Sequence, residues 1–160
     1  MAQNTQHTVV SVDRVINAPA PALFAVVADA NRHPEIDGSG ALVDTKAGAP
    51  RELALGSTFG MSMKMGMPYS SSNTVIEFEQ DRRIAWQTAL SGPLGRFIGG
   101  RIWRYEFEPV EGGTKVTESW DISQDKQAFF LKNAKVGHHT AATMSKTLDR
   151  LAEIVETSGS

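Results

Sequence analysis

The spacing of apolar residues along this chain changes period at three places, and each change marks an expected element. Thr8 to Ile16 (TVVSVDRVI) is dominated by β-branched residues and predicts a first strand. Pro19 and Pro21 interrupt it. Because proline is tolerated in a helix's first turn, Ala20 to Ala28 predicts a short helix burying Leu23, Phe24 and Val27. Asp29 to Asp37 predicts a further helical turn around Pro34, ended by Gly38, Ser39 and Gly40. Beyond this point the period falls to two. Ala41 to Thr45 reads as a short strand, Lys46 to Leu55 as a loop, and Thr58 to Met65 as a strand with Phe59, Met61, Met63 and Met65 on one face. After a turn over Gly66 to Pro68, Tyr69 to Gln80 is expected to set Thr74, Ile76 and Phe78 on one side. Arg83 to Leu90 aligns Ile84, Trp86, Thr88 and Leu90, and Arg101 to Val110 aligns Trp103, Tyr105 and Phe107. A hairpin turn over Glu111 to Gly113 leads to Thr114 to Ile122, with Val116, Glu118, Trp120 and Ile122 facing one way.

The last stretch, Gln127 to Glu156, returns to a helical period. Phe130, Ala134, Gly137, Ala141, Met144, Leu148, Leu151 and Val155 form one stripe on a helix turning about 100° per residue. The stripe is thin in the middle, where only Ala134, Gly137 and Ala141 stand. Glycine inside a helix costs about 1 kcal/mol relative to alanine. Gly137 therefore implies either another backbone close by or open space beside the helix. Asn133, His138 and Thr140 flank this region, so the helix reads as a lid over a pocket. The order of elements gives an α+β fold, with an antiparallel sheet curving around the final helix.

Composition narrows the function classes. The chain has 160 residues, read as one domain with an ordered core of about 8–156, and 18 acidic against 16 basic side chains, a balance unlike that of a nucleic-acid-binding module. The absence of cysteine removes disulfides, thiol nucleophiles and cysteine-ligated zinc. The N-terminal MAQNTQHTVV lacks the features of a secretory signal, and no apolar run approaches membrane-spanning length, so stable membrane insertion is not expected and a cytoplasmic location is. No nucleophile elbow, phosphate-binding loop or dinucleotide fingerprint is present, and no cofactor is expected. His33, Glu35 and Asp37 stand two apart, which does not bring them to one helix face, so no metal site is expected either.

The segment VINAPAPALFAVVADANRHPEIDG, with Ala18-Pro19, Phe24, Asp29-Ala30-Asn31 and His33-Pro34, resembles the START-like SRPBCC superfamily and, within it, the bacterial polyketide cyclase/dehydrase-like branch. Arg83-Ile84-Ala85-Trp86 and Thr114-Lys115-Val116-Thr117-Glu118 are similar to later strand segments of that superfamily. The resemblance implies a helix-grip fold, a seven-stranded antiparallel sheet wrapped around the C-terminal helix with a deep cavity between them. It also implies that the His33–Asp37 segment borders the cavity mouth. Members hold lipids, sterols, polyketides, plant hormones or other hydrophobic molecules, and a minority act as cyclases or dehydratases. These are scaffold motifs, and a scaffold does not set an activity.

Several side chains are candidates for the chemistry. The row Phe59, Met61, Met63 and Met65 reads either as an adaptable wall for an apolar ligand or as ordinary core. Glu118 shares a face with Val116 and Trp120, so a carboxylate points inward. It is then an acid or base, a ligand's hydrogen-bond partner, or half of a structural pair with an arginine or histidine. His138 is its natural second group, with amphipathic packing as the alternative. Tyr69, Trp86, Thr88, Trp103, Tyr105, Trp120, Asn133, Gly137 and Ala141 complete the expected lining, and Asn73 joins it only if a bulge shifts its strand. The Ser91 to Gly100 loop, which carries Leu94, Phe97 and Ile98, is either a gate or an exposed hairpin connection. The leading expectation is a carrier or sensor for a small hydrophobic molecule. The alternatives are a polyketide cyclase or dehydratase working through Glu118 and His138, and an interaction or stress-related protein whose cavity is filled. An edge strand or the apolar loop could support a homodimer.

Overall fold

The structure, a computed structural model, describes residues 8–45 and 52–158, with side chains except at 43–45, 65 and 157–158. The Met65 side chain and most of the expected loop over 46–55 thus lie outside the described residues. The strands are β1 (Val9–Ile16), β2 (Leu42–Thr45), β3 (Thr58–Met65), β4 (Met67–Glu79), β5 (Arg83–Leu90), β6 (Gly99–Val110) and β7 (Gly113–Asp121). The helices are α1 (Ala20–Val27), α2 (His33–Ile36), α3 (Ala128–Leu131) and α4 (Ala134–Ser158). A 3₁₀ turn over Ala30–Arg32 joins α1 to α2.

The sheet runs in the order β1-β7-β6-β5-β4-β3-β2, with every neighbouring pair antiparallel. Six strands of eight residues or more form its body. β2 adds four residues at one edge, joined to β3 through a register break between Leu42 and Asp44. The expected seventh strand is thus a short appendage to a six-stranded body. α4 packs on β1 and β7 and meets α1 and α2. The core between sheet and helices gathers Ile16, Leu23, Phe24, Val27, Val116, Leu148 and Leu151, each no more than 2 % exposed. Phe24 of α1 meets Phe78 and Phe107 edge-on at 5.6 and 5.5 Å, in the T-shaped geometry that aromatic quadrupoles favour.

Three expectations need correction. On β4 the register shifts between Val75, opposite Trp86, and Glu77, opposite Ala85, which leaves Ile76 as an extra residue. Before the bulge Ser71, Asn73 and Val75 are buried and Thr74 is exposed, and after it Phe78 packs on the core. Thr74 and Ile76 therefore do not share the inner face with Phe78. Second, the C-terminal helix is two helices. The chain breaks at Lys132 and Asn133, where the Asn133 carboxamide oxygen accepts the Lys135 N–H at 2.9 Å and caps the start of α4. Phe130, expected on the buried stripe, belongs to α3 and is 75 % exposed.

The third correction concerns glycine. A Cβ placed on Gly137 would meet only the Val10 Cγ2 of β1, at 3.6 Å, an ordinary contact. The close backbone approach falls at Gly38 instead. A Cβ there would run into the Thr143 carbonyl oxygen and stand 2.7 Å from the Lys146 Cβ and the Thr147 nitrogen. Gly38 docks the α2–β2 turn against α4, and its N–H donates to the Thr147 Oγ1 at 2.9 Å.

Candidate functional site

A cavity of about 150 Å³ lies between the inner face of the sheet, α2 and the first half of α4. Met61 and Met63 of β3, Ser71 and Asn73 of β4, Trp86 and Thr88 of β5, and Trp103 and Tyr105 of β6 supply its sheet side. Glu118 of β7 completes that side. His33, Ile36, Asp37, Ser39 and Leu42 form one end, and Thr143, Met144 and Thr147 of α4 cover it. The interior of the molecule is therefore not filled by its own side chains.

The aromatic wall is a ladder built by strand pairing. Trp86 stands opposite Trp103, and Ile84 opposite Tyr105. The His33 ring stacks on Trp86 at 4.8 Å, and Trp86 stacks on Tyr105 at 5.6 Å. Phe59 closes the ladder from behind, edge-on to both His33 and Trp86.

Most polar groups in the wall satisfy one another. The Thr88 hydroxyl donates to the Asn73 Oδ1 at 2.6 Å, and the Asn73 Nδ2 donates to the Phe59 carbonyl at 3.2 Å. Asp37 accepts from Ser39 and from the Leu42 N–H, which fixes the turn at the cavity end. Two buried residues of the cavity lining keep unused hydrogen-bonding capacity. Glu118, 3 % exposed, accepts the Tyr105 hydroxyl at its Oε1 over 2.8 Å, while its Oε2 is buried without a partner. The His33 Nε2 lies 2.7 Å from the Val27 carbonyl oxygen, and its Nδ1 is buried without a partner. A carbonyl can only accept, so Nε2 carries the hydrogen and Nδ1 is a bare acceptor.

Burial sets the protonation of both groups. Removal from water pushes the Glu118 carboxyl up to about 8, against the opposing effect of the Tyr105 hydrogen bond and with help from the Asp37 charge. At neutral pH Glu118 is therefore mainly the neutral acid. Its Oε1 takes the Tyr105 hydrogen, and its Oε2 presents a hydroxyl donor. Burial also lowers the His33 pKa, which keeps its ring neutral, and raises the Tyr105 hydroxyl well above its ordinary value.

Of the side chains singled out from sequence, Glu118, Met61, Met63, Trp86, Thr88, Trp103 and Tyr105 border the cavity. Phe59 and Trp120 are buried behind it, Trp120 tilted against Trp103 at 6.4 Å with its Nε1 unpartnered. Tyr69 is 37 % exposed at the start of β4. The structure does not bring Asn133, Gly137, His138 or Ala141 to the cavity. Asn133 and His138 are exposed, Gly137 faces Val10, and Ala141 packs on the core. The lid region of α4 lies further along the helix, at Thr143, Met144 and Thr147. Sequence reading placed Met144 on the inward stripe without assigning it to the cavity, and missed Thr143 and Thr147. It missed Ser71 because of the bulge at Ile76. His33 and Asp37 both border the cavity while Glu35 pairs with Arg32 at 3.0 Å, and no group of three or more His, Asp or Glu that could hold a metal ion occurs among the described residues.

Comparison with known proteins agrees with this architecture. The family described as polyketide cyclase / dehydrase and lipid transport matches residues 7–156. An uncharacterised protein of Mycobacterium tuberculosis, Rv0088, is 40 % identical over 108 residues, which is 66 % of this chain and 44 % of that protein. The chain thus spans less than half the length of the curated relatives it matches. Among solved structures, protein NE0264 of Nitrosomonas europaea superposes with a TM-score of 0.71 at 14 % identity, covering 96 % of this chain and 97 % of that one. The Polyketide_cyc-like protein Cgl2372 of Corynebacterium glutamicum gives 0.58 at 22 % identity, covering 94 % and 92 %. At these identities the two structures speak for the fold alone. A family match over nearly the whole chain, on a sheet that grips its C-terminal helix around a cavity, places this chain in the polyketide cyclase / dehydrase and lipid transport family.

Proposed function

We propose that this chain binds a compact, mostly apolar molecule bearing a carbonyl, with Glu118 as the hydrogen-bond donor that orients it. The observation that carries this reading is the Glu118 carboxyl: buried, neutral at pH 7, held at one oxygen by Tyr105 and unpartnered at the other. A neutral acid in an apolar wall donates to a carbonyl without the cost of burying a charge. The volume of about 150 Å³ suits a single ring, since an apolar cavity of about that size accommodates benzene. A multi-ring ligand would require the walls to move. Apolar burial against Met61, Met63, Trp86 and Trp103 supplies most of the affinity, and His33 Nδ1 accepts from any hydroxyl the ligand carries.

Acetophenone and its carbonyl-free analogue ethylbenzene test this directly by NMR titration. The ketone binds more tightly than the hydrocarbon, and Glu118→Leu abolishes the difference. Equal affinities in the unaltered protein would overturn the reading.

The same geometry favours a second reading, a cyclase or dehydratase. An acid with a pKa of about 8 is matched to proton transfer near neutral pH, and Glu118 can protonate a bound carbonyl oxygen and later take a proton back. Glu118→Gln separates the two. Its amide still donates to a carbonyl but cannot transfer a proton, so a carrier retains binding and an enzyme retains binding while losing turnover.

A further inference from the structure

A face outside the cavity carries large apolar side chains and only positive charge. The β5–β6 connection exposes Leu94 (57 %), Phe97 (68 %) and Ile98 (41 %), and α3 exposes Phe129 (86 %) and Phe130 (75 %). Backbone and side-chain bonds hold these two segments side by side. The Lys126 N–H donates to the Gly99 carbonyl at 2.9 Å, the Gln127 Nε2 to the Phe97 carbonyl at 2.7 Å, and the Gly99 N–H to the Gln127 Oε1 at 2.9 Å. The Lys126 ammonium also bonds to the Arg96 carbonyl. Phe129 and Phe130 pack only edge-on against each other, at 5.6 Å. No core recruits them.

The charge on this face is one-sided. Residues 91–100 and 126–139 hold four of the chain's 16 Lys and Arg (Arg96, Lys126, Lys132 and Lys135), all exposed, and none of its 18 Asp and Glu. The neighbouring Asp125 side chain is fully buried and neutralised by Arg101 at 3.1 Å. Exposed aromatic and aliphatic tips ringed by lysine and arginine, on a chain whose net charge is −2, match a surface that is apolar within and anionic at its boundary.

We propose that this face docks peripherally onto an anionic lipid bilayer, with Phe97, Phe129 and Phe130 entering the headgroup boundary and the four cations engaging phosphates. A second copy of the chain is a poorer occupant, because a two-fold contact through the patch would set its cations against themselves. Docking would set against the bilayer the loop that joins β5 to β6, the strands carrying Trp86, Thr88, Trp103 and Tyr105 in the cavity wall. The proposal does not depend on what the cavity binds.

Co-sedimentation with phosphatidylcholine vesicles, with and without phosphatidylglycerol, tests it on the full chain. The protein sediments with the anionic vesicles at least about tenfold more tightly than with the neutral ones, and added salt weakens binding. The double substitutions Phe129→Ser with Phe130→Ser, and Lys132→Glu with Lys135→Glu, each weaken it by about tenfold or more. Their thermal midpoints stay unchanged, because the altered side chains are exposed. Failure to sediment, equal affinity for both vesicles, or indifference to both double substitutions would overturn the proposal. So would a dimer in sedimentation velocity that the phenylalanine substitutions disperse.

Discussion

Burial of the Glu118 carboxyl ties stability to pH, and the proposed binding rests on the same proton. Below the ordinary carboxylate value of 4.5 the folded and unfolded chains both hold its proton, and between 4.5 and about 8 only the folded chain does. Rising pH therefore favours the unfolded state across that window. Glu118 lowers stability progressively through that window, and the loss levels off above about 8. Glu118→Gln keeps an acceptor for the Tyr105 hydroxyl and has no proton to lose. Urea unfolding at pH 5 and pH 8 should show the substituted protein losing less stability than the unaltered one as pH rises. Alternation alone placed this carboxylate inward, because Val116, Trp120 and Ile122 around it are unambiguous. The partner was less legible. His138 was expected from helix position, whereas Glu118 is bonded by Tyr105 of the adjoining strand and the histidine in the cavity lining is His33, whose burial depends on α2 folding back over Trp86. Contacts of that kind between distant segments leave no periodic trace.

At the scale of elements, the strands and the first helix were legible because each carries a strong period, and the errors fall where a local device breaks it. The bulge at Ile76 turns Ser71 and Asn73 inward, and the break at Asn133 detaches Phe130 from the helix stripe. Of the two readings offered for Gly137, the close backbone approach falls at Gly38 instead, while Gly137 has room for a methyl group beside Val10. Gly137 is helical and has room, so Gly137→Ala should raise stability by up to about 1 kcal/mol and leave cavity binding unchanged. Gly38→Ala should do the reverse. Its methyl group would force the α2–β2 turn off α4, at a cost of about 1–3 kcal/mol, and displace Asp37 and Ser39 from the cavity end. Thermal or urea unfolding of the two substituted proteins, with probe binding measured alongside, checks both.

The whole molecule is a sheet closed on its helix, with a cavity of about 150 Å³ between them and an apolar, basic face on its outside. Ser71 is 5 % exposed and lines the cavity from β4, so Ser71→Leu should fill part of that space. Stability should stay within about 1.5 kcal/mol of the parent while acetophenone affinity, read by NMR titration, falls at least about tenfold. The central claim is that a protonated Glu118 recognises a carbonyl, and the pH dependence of acetophenone affinity tests it most directly. Affinity should hold steady below about 8 and fall about tenfold per pH unit above it, as Oε2 loses its hydrogen, while Glu118→Gln binds with no such dependence. An affinity in the unaltered protein that stays level or rises through that pH would contradict the account.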